Sequence, residues 1–497
     1  MQEREAKLSA SPDLRLPDLG DPTDGVVAGP QGSTQLWTTY YDTPDLRLAR
    51  WGLSLRYRSS EGWTVKLAGE GRGPMLVREE RVFQAPANRP PSEALDLVRA
   101  FVRDSSLGPV ARLRTTRRTI ELLDREGARL GEVTDDRVAV LDGRRVSRRF
   151  RELETELAAD APDGALDAVI GRLRAAGAEP VQVASKYLQA LGDPDPGPPE
   201  VPLKDLDGHA TVEELVRHDL SAAVLRLFRH DPVVRLGTDP EGVHQARVAM
   251  RRFRSSLRTF RPVLEEGWAA RLREQAKWLA DRLGAARDAD VLQARLRAHL
   301  ERLGEPDAQG GDWLLRRLDR QRKSARTAVL DAMRESAYLQ LLDDLIAAAN
   351  SPMVLDGGQS AAKALVPRVA RTWRRLRDEV RQAGPEPSDE QLHRVRIRAK
   401  RCRYAAEAVT PVVGKPAARF AAAVEAVQDI LGDHHDAVVA QDWLREAAGE
   451  APSDAAVAAG LLIAVERDAA TRGRAAWQSA WANLDRKKLR NWFRGGS

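Results

Sequence analysis

The pattern of apolar and polar positions changes at a proline-rich run, DPDPGPPEVP, which extends from Asp193 to Pro202. Before this run, short segments alternate between apolar and polar residues and are separated by Gly, Asp and Ser, a pattern that predicts β-strands. After it, apolar residues recur with helical spacing among many Ala, Leu and Arg residues, which predicts α-helices. The run itself can form neither a helix nor a central strand and indicates a linker.

The segments with strand character are LSLRYR, WTVKLAG, REERVFQA, RLGEVTDDRVAVL and FRELETELA, and helical patterns interrupt them at 92–103 and 164–176. In the helical part we expect breaks at 231–240, 304–311, 350–359, 384–388 and 449–453. A chain of 497 residues is too long for one ordinary core. We therefore predict a multi-domain α+β protein, with a β domain at 1–192, a linker at 193–204 and an all-α domain at 205–490.

The helical part contains an internal repeat. HQARVAMRRFR begins at His244 and HRVRIRAKRCR begins at His393, 149 residues later, and both place basic residues at offsets of 3, 7, 8 and 10 from the histidine. A second pair of matched segments follows, LGAARD from Leu283 and LGDHHD from Leu431. The repeat predicts two related helical bundles, at about 205–350 and 360–490.

The composition favours an anionic partner and a reducing compartment. The formal charge is +6 and most of the cations are arginine, which suits phosphate binding but equally fits a codon bias towards Ala and Arg. Cys402 is the only cysteine, which excludes an intramolecular disulfide or a cysteine-based zinc site. We find no secretory signal and no apolar run long enough for a bilayer, so we expect a cytoplasmic protein without a membrane partner.

Charged residues alternate along several strands of the β domain. Glu3, Glu5 and Lys7 would share one face of a strand, where burial is costly without partners, although an exposed disordered terminus is the alternative. The same alternation recurs at Arg56 and Arg58, Lys66, Arg112 and Arg114, Glu132 and Asp136, and Glu152, Glu154 and Glu156, with Lys186 following. Converging charged faces predict a barrel with a polar interior, in which carboxylates hold Mg²⁺ or Mn²⁺ and cations clamp phosphate oxygens.

Residues 1–192 resemble the CYTH family, the triphosphate tunnel metalloenzymes. The ExExK signature matches Glu3 to Lys7, and YYDT matches Tyr40 to Thr43; the LRxR strand matches Leu55 to Arg58, and ExEL matches Glu154 to Leu157. The resemblance implies an eight-stranded antiparallel tunnel that binds a triphosphate together with a divalent metal ion. Members of the family include inorganic triphosphatases, thiamine triphosphatases, class IV adenylate cyclases and RNA triphosphatases.

The resemblance assigns roles to individual residues. The metal side comprises Glu3, Glu5, Asp136, Glu154 and Glu156, and the phosphate side comprises Lys7, Arg56, Arg58, Lys66, Arg114, Arg117 and Lys186. Asp135 and Asp136 are alternatives for one metal-ligand role. Asp136 is favoured because it shares its strand parity with Glu132. Arg114 and Arg117 also differ in parity, which a β-bulge could reconcile. We expect Lys7, helped by Tyr40 or Tyr41, to position or deprotonate the attacking water.

In the helical domain, offsets of 0, 3, 7 and 10 from each histidine fall on one helix face. The two stripes are His244, Arg247, Arg251 and Arg254, and His393, Arg396, Lys400 and Arg403. Stacked like charges repel, so each stripe requires a polyanion or acidic residues from a neighbouring helix, for which Asp288, Asp290, Asp433 and Asp436 are candidates. A simply solvated face is the alternative.

This half resembles the CHAD domain, a conserved-histidine α-helical domain, over residues 205 to about 490. The resemblance implies two pseudo-symmetric bundles around a basic groove for inorganic polyphosphate. The binding residues would be the two stripes together with Arg252 and Arg401. Metal binding by His434, His435 and Asp436 is disfavoured because adjacent helical side chains rarely converge on one ion. A cytoplasmic polyphosphate-binding protein could associate with polyphosphate granules.

Two functions follow from these patterns. One is metal-dependent hydrolysis of a short linear triphosphate, most simply inorganic triphosphate, with polyphosphate bound by the helical domain. The alternative is a non-catalytic protein that binds or senses polyphosphate. Cyclase activity is disfavoured because no base-recognition feature is visible, and nucleic acid is disfavoured because the stripes lack aromatic residues for base stacking. The oligomeric state stays open.

Overall fold

The computed structural model describes residues 4–23, 25–67, 80–158, 161–181, 185–192, 195–305 and 307–494, with the side chains of residues 4, 5 and 494 not described. The chain divides into two compact units, Met1–Glu200 and Val201–Ser497. Among the described residues, no helix combines the length and the apolar character needed to cross a bilayer.

The described part of the first unit contains one antiparallel sheet. Its strands are β1 (Arg4–Ser9), β2 (Val27–Asp42), β3 (Ser54–Arg58), β4 (Gly62–Lys66), β5 (Glu80–Phe83), β6 (Gly108–Leu123), β7 (Arg129–Asp142), β8 (Arg145–Leu157) and β9 (Glu179–Pro180). Their order across the sheet is β5-β4-β3-β2-β6-β7-β8-β1-β9. Four helices accompany them: α1 (Arg47–Arg50), α2 (Ser92–Val102), α3 (Ala165–Ala175) and α4 (Lys186–Leu191).

The sheet differs from the predicted eight-stranded closed barrel, because it has nine strands and is open within the described residues. The edge strands β5 and β9 do not pair with each other there. β9 is only two residues long, and one of these, Pro180, has no N–H to donate to a further strand. The sheet is nevertheless strongly curved, since side chains from β5 and from β1 line a single cavity.

Alternation along the long strands separates an apolar face from a charged one. Val133, Leu153 and Leu157 are fully or almost fully buried and pack with Val169 and Leu173 of α3 in one core cluster. The opposite parity carries Glu132 and Asp136 of β7 and Glu152, Glu154 and Glu156 of β8. The helix therefore covers the apolar side of these strands and leaves their charged side to the interior of the curve.

The second unit is helical. Its helices are α5 (Val212–Leu236), α6 (Pro240–Thr259), α7 (Glu266–Leu303), α8 (Gly311–Ala332), α9 (Ser336–Asn350), α10 (Ala361–Ala383), α11 (Asp389–Ala408), α12 (Thr410–Val413), α13 (Lys415–Ala448) and α14 (Ser453–Leu484), with 3₁₀ segments at Arg261–Val263 and Lys487–Arg494. α5 packs on α6 and α6 on α7, while α10 packs on α11 and α11 on α13. α6 and α11 also pack on each other and join the two halves.

One predicted break is shorter than expected. α5 continues through Pro232 to Leu236, whereas the sequence predicts a break from residue 231. The buried Asp231 carboxylate accepts a hydrogen bond from the Arg235 Nε at 2.7 Å and another from the Tyr338 hydroxyl. These contacts hold the last turn of the helix in place despite the proline.

Candidate functional site

A cavity of about 230 Å³ lies inside the curve of the sheet, and we call it the tunnel cavity. Its charged lining comes from β1, β3, β4, β5, β6, β8, α4 and the β3–β4 turn: Lys7, Arg56, Arg58, Glu61, Lys66, Glu80, Arg117, Glu154, Glu156 and Lys186. Strand register explains this convergence. Lys7 lies opposite Glu154, and Arg117 lies opposite Asp136, so each pair shares a face of the sheet.

Carboxylates and cations form one network at the floor of the tunnel cavity. Arg117 binds Asp136 through two parallel hydrogen bonds of 2.8 and 2.7 Å. The Lys186 ammonium lies 2.6 Å from Asp136 and 3.0 Å from Glu154, and the Lys7 ammonium lies 2.7 Å from Glu154. The predicted metal side and phosphate side are therefore interleaved, and Asp136 positions two cations.

The wall formed by β3, β4 and β5 carries a second group of ion pairs. Glu61, in the turn between β3 and β4, contacts both Arg56 and Arg58. Glu80 of β5 contacts Lys66, its cross-strand partner. Sequence reasoning missed both carboxylates, because the pairing of β4 with β5 brings Glu80 to Lys66 and no local pattern shows that pairing. Arg58 also donates to the Thr38 hydroxyl at 3.2 Å, while the buried Nε of Arg56 has no hydrogen-bond partner among the described residues.

Burial and charge compete in setting the pKa values of these groups. Burial alone would raise the pKa of Glu154, but Lys186 and Lys7 overcome it and hold that pKa well below its usual range. Burial would likewise lower the pKa of Lys186, but Glu154 and Asp136 raise it. For Lys66, burial and then Arg56 lower the pKa, and for Glu152 burial raises it. The ionised forms of Glu154 and Lys186 are therefore favoured, whereas Lys66 and Glu152 lose charge more readily.

Asp42 connects the YYDT segment to α1 and α4. This buried carboxylate accepts hydrogen bonds from the backbone N–H groups of Leu48 and Ala49, both at 2.9 Å, and from the Tyr187 hydroxyl at 2.7 Å. Tyr187 also stacks on Tyr40, with ring centroids 4.9 Å apart. Because Tyr187 follows Lys186 directly, Asp42 fixes the start of α4 and thereby the Lys186 ammonium. Its role is structural.

The placement of Tyr40 and Tyr41 follows the strand period. Tyr40 lines the tunnel cavity and contacts the Arg56 guanidinium. The Tyr41 ring packs against Trp63 instead, with centroids 4.9 Å apart, and Tyr41 is not among the residues that line the cavity. Of the two tyrosines, Tyr40 is the one within reach of a ligand in the cavity.

Arg114 is not among the described residues that line the tunnel cavity, and its assignment to the phosphate side stays a prediction. The registers of β6 with β2 and β7 are regular from Arg114 to Arg117, so the bulge that could have reconciled the two residues does not form. Arg114 therefore points to the opposite face, where it lies over the Trp37 ring at 6.0 Å from the centroid. Asp135 is also on that face and binds Arg151 at 2.7 Å, which leaves Asp136 on the cavity side.

The metal-side residues are only partly described. Glu3 and the Glu5 side chain lie outside the described residues, although the Glu5 backbone pairs with Glu156. The described side chains alone do not form a cluster of three or more metal-ligating groups. Glu154 and Glu156 line the cavity, and their carboxylate oxygens are the donors that hard divalent cations prefer.

The numbers of cationic and acidic side chains at the tunnel cavity are also consistent with an added metal ion. Among the described residues, six lysine and arginine side chains line it, together with the four carboxylates of Glu61, Glu80, Glu154 and Glu156. Asp136 and Glu152 lie within 3.4 Å of the Lys186 ammonium, which brings the carboxylates to the number of the cations. An anionic ligand would therefore enter a site whose described side chains carry no net positive charge, and a divalent ion at Glu154 and Glu156 would offset the charge of that ligand.

The histidine-led stripes of α6 and α11 face two adjoining cavities of about 520 and 370 Å³. The two cavities share the side chains of His244, Arg251, Arg396, Lys400 and Asp436, and we call them together the basic groove. Further lining residues that the sequence did not single out are Arg226, Arg287, Arg295 and Tyr404. Helical period brings each stripe to one face, and only the packing of α6 on α11 sets the stripes opposite each other.

Cations of the basic groove are only partly paired. Arg247 binds Asp288 of α7 at 2.8 Å, and Arg403 binds Glu407 and Glu425 at 2.6 and 2.7 Å. Neighbouring helices thus supply some acidic partners, as the sequence predicts, but no described carboxylate lies within 4 Å of the Lys400 ammonium. Burial, followed by the charges of Arg396 and Arg251, lowers the pKa of Lys400 to about 7.

The histidines differ in their surroundings. Burial and then neighbouring cations lower the pKa of His244 and of His393, which favours the neutral form of both imidazoles. His393 lies behind His435, with 3.3 Å between the two Nδ1 atoms, and His435 lines the groove. His434 is buried, with its Nε2 3.0 Å from Asp389, and is structural.

Three of the predicted polyphosphate-binding residues are placed differently from the rest. Arg252 lines the groove but is paired with Glu407 at 3.1 Å. Arg254 and Arg401 are not among the described residues that line either cavity of the groove. Arg401 lines another cavity, although Arg252, which has the same offset of 8 residues from its histidine, lines the groove.

Comparisons with known proteins find one family domain in each of the two compact units. A CYTH domain model matches residues 1–186 and a CHAD domain model matches residues 218–445. The uncharacterized protein Rv2226 of Mycobacterium tuberculosis is 33% identical over 493 residues, which cover 93% of this chain and 92% of the relative.

Two solved structures are similar to part of the chain. The crystal structure of the CHAD domain from the plant Ricinus communis covers 57% of this chain and 95% of its own, with 28% identity and a TM-score of 0.47. PptA from Streptomyces chartreusis covers 55% of this chain and 100% of its own, with 24% identity and a TM-score of 0.47.

Proposed function

The chain belongs to the family of proteins that join a CYTH domain to a CHAD domain, and on this basis we propose that the tunnel cavity hydrolyses a short linear triphosphate, most simply inorganic triphosphate, while the basic groove binds inorganic polyphosphate. The observation that carries this proposal is the convergence of six cations and the carboxylates Glu154 and Glu156 on one cavity. Phosphate oxygens require the cations, and a divalent metal ion requires the carboxylates.

In the tunnel cavity, Arg56, Arg58 and Lys66 would clamp the phosphate oxygens by charge-assisted hydrogen bonds. Arg56 and Arg58 would exchange Glu61 for phosphate, because Glu61 is more than a third exposed and can turn to solvent. Arg117 and Lys186 are held by Asp136 and would contact the opposite end of the substrate. These cations offset the charge that develops on the transferred phosphoryl group and on the leaving phosphate.

Lys7 and Tyr40 are the candidates for handling the attacking water. Glu154 holds the Lys7 ammonium at 2.7 Å, so Lys7 would orient the water by donating a hydrogen bond. Tyr40 lines the same cavity, and its hydroxyl contacts Arg56. Tyr40 would help Lys7 to position the water by hydrogen bonding.

A divalent metal ion, Mg²⁺ or Mn²⁺, would be held by Glu154 and Glu156 together with Glu3 and Glu5, and would neutralise phosphate charge. Proteins with a CYTH tunnel generally use divalent metal ions. The pairing of the Glu5 backbone with Glu156 puts the first strand beside the two carboxylates of β8. The donor set contains only carboxylates, which favours a hard cation over zinc or copper.

In the basic groove, Arg251, Arg396 and Lys400 would contact successive phosphates of a long chain. They share one cavity wall, and among the described residues none of the three has a carboxylate within 4 Å. An anionic chain would relieve the mutual repulsion of these cations, and binding should weaken as salt concentration rises.

A non-catalytic polyphosphate-binding protein is the second candidate. It is favoured by the floor of the tunnel cavity, where Lys7, Arg117 and Lys186 are already neutralised by carboxylates. Such a network could hold a phosphate chain without cleaving it.

One assay distinguishes the two candidates. Phosphate release is measured from triphosphate, thiamine triphosphate, ATP and long polyphosphate, with Mg²⁺ or Mn²⁺, for the wild type and for Glu156→Gln and Glu5→Gln. Hydrolysis requires metal-dependent release from at least one substrate and its loss in both variants. No release from any substrate, with polyphosphate binding intact, would establish the binding protein instead.

A further inference from the structure

A third basic cavity, of about 310 Å³, lies between the end of α6, α10 and α11, and we call it the arginine pocket. α6 and the residues after it supply Arg258 and Arg261, α10 supplies Arg368, Arg371 and Arg375, and α11 supplies Arg398 and Arg401. Among the described residues that line it, none is acidic. The basic groove, by comparison, includes Asp433 and Asp436 in its lining.

Most guanidinium groups of the arginine pocket have no counter-charge. Arg398 is paired with Glu379 at 3.2 Å and Arg261 is paired with Glu266. The other five arginines have no carboxylate within 4 Å in the part of the chain that the structure describes: Arg258, Arg368, Arg371, Arg375 and Arg401. Clustered like charges destabilise a fold, so such a group calls for a ligand or another explanation.

An unpartnered Nε atom and two lowered pKa values point the same way. The Nε of Arg368 is buried and has no hydrogen-bond partner among the described residues. Burial, and then Arg398 and Arg375, lower the pKa of Arg401, and burial and Arg401 do the same for the pKa of Arg258. These arginines therefore repel one another across the pocket and share its concave surface.

The internal repeat provides a comparison within the same molecule. α5 and α10 begin 149 residues apart, the offset that also separates His244 from His393, so the other half has an equivalent position between α5, α6 and the end of α11. At this offset Arg258 corresponds to Glu407 and Arg368 corresponds to Asp219. Arg401 corresponds to Arg252.

In the other half, these acidic residues neutralise the site. Glu407 binds Arg252 at 3.1 Å, and the buried Asp219 carboxylate interacts with the same guanidinium. The duplicated position therefore carries carboxylates in one half and arginines in the other. The two halves therefore differ in charge at two of the positions that face this cavity.

We infer that the arginine pocket is a separate binding site for a condensed phosphate group, supplied either by a short inorganic chain or by a nucleotide. Guanidinium groups present planar pairs of donors that match phosphate oxygens, and several arginines on a concave wall suit a group with three or more negative charges. Pro262 and Ala405 add apolar surface to the wall, which leaves room for an attached organic group. The inference does not depend on catalysis in the tunnel cavity.

The test uses the full chain carrying Arg56→Ala and Lys66→Ala, so that phosphate binding in the tunnel cavity does not contribute. Affinity for tripolyphosphate, ATP and long polyphosphate is measured by calorimetry, with and without Arg371→Glu and Arg401→Glu. Both arginines are exposed, so the double reversal should not disturb folding. We expect the affinity for tripolyphosphate or ATP to fall by about tenfold or more; whichever probe responds more strongly identifies the source of the phosphate.

The matched control is Arg445→Glu with Arg472→Glu, which makes the same charge change at side chains that are 50% and 66% exposed and lie outside the pocket. Its effect should stay below about twofold. An equal loss in the control and in the pocket variant would overturn the site, because the effect would then reflect net charge alone. Absence of tripolyphosphate and ATP binding by the parent chain would also overturn it.

Two further variants test the comparison between the halves. Arg258→Glu places in the pocket the residue found at the equivalent position, and we expect it to reproduce most of the loss. Lys400→Ala alters the basic groove alone, and we expect it to weaken long polyphosphate while leaving the affinity of the responding short probe within about twofold. Unchanged binding in Arg258→Glu, or loss of all short-phosphate binding in Lys400→Ala, would contradict an independent site.

Discussion

The tunnel cavity and the basic groove both present lysine and arginine to a phosphate chain, but they hold these side chains in different ways. In the tunnel cavity, Lys186 and Arg117 are fixed by buried carboxylates such as Asp136. In the basic groove, Lys400 and Arg396 face each other's charge with few acidic partners. The first arrangement fixes the positions of the cations before a ligand binds. In the second, the cations repel one another, and an anionic ligand reduces that repulsion.

This difference suits different ligands. A reacting phosphoryl group requires cations at fixed positions, because misplacement of the groups that stabilise charge directly slows the chemical step. A long flexible chain can adapt to its site, so the groove requires a high density of positive charge more than a fixed geometry. The comparison can be tested by removing one cation from each site.

The largest effect is expected on stability at the floor of the tunnel cavity. Lys186→Met leaves Asp136 and Glu154 buried without their shared ammonium, and removing one partner of a buried ion pair costs about 3–5 kcal/mol. Chemical denaturation, followed by a probe in the first unit, measures the loss. The control, Arg129→Met, removes an exposed ion pair with Glu132 and should cost less than about 1 kcal/mol. Similar losses in both variants would refute the buried network.

The next effect concerns catalysis and uses two arginines of the same strand. Arg117→Ala removes a cation that lines the tunnel cavity, and we expect triphosphate hydrolysis to fall by about 100-fold. Arg114→Ala removes a cation from the opposite face, and the rate should change by less than about threefold. Initial rates of phosphate release are compared at a temperature at which thermal unfolding shows that both variants are folded. Equal losses of hydrolysis rate in the two variants would show that the face of β6 on which an arginine lies does not determine its role in hydrolysis.

A smaller effect is expected for one cation of the basic groove. Lys400→Ala removes a partly buried ammonium, and we expect polyphosphate affinity to fall by about tenfold. Stability should not fall as it does for Lys186→Met, because Lys400 is surrounded mainly by like charge. Calorimetric titration with long polyphosphate measures the first quantity, and thermal unfolding the second. The exposed Lys415→Ala serves as the control, and loss of stability on the scale of Lys186→Met would remove the contrast between the two sites.

The smallest effect is a dependence of polyphosphate binding on pH. The pKa of Lys400 is lowered to about 7 in the folded protein, so its charge is present at pH 6 and largely lost at pH 8. Polyphosphate affinity should therefore fall by about threefold to tenfold over this range, and Lys400→Arg should flatten the curve. Since the unfolded chain holds this proton to higher pH, the same group should make the fold more stable as pH rises above 7. A flat binding curve in the wild type would contradict the lowered pKa.

Sequence periodicity predicted much of the local structure. The predicted helices at 92–103 and 164–176 correspond to α2 and α3, and each predicted strand segment overlaps an observed strand. Prolines and glycines also marked most helix ends, but Pro232 does not end α5, because tertiary contacts of Asp231 hold the last turn and the helix ends just before Gly237. These successes share a cause, because side-chain direction in a strand or helix follows from local backbone geometry alone.

What the sequence determined by itself is therefore the family, the two kinds of domain and the face on which each charged residue lies. Tertiary structure decided the rest: that the sheet is open, that Arg114 lies outside the cavity, that Glu61 and Glu80 occupy its wall, and that the arginines of α10 meet those of α6 and α11. Parity states which residues share a face, but register, curvature and helix packing determine which faces meet. Register, curvature and helix packing depend on contacts between residues that are far apart in the chain, and a local sequence pattern does not predict such contacts.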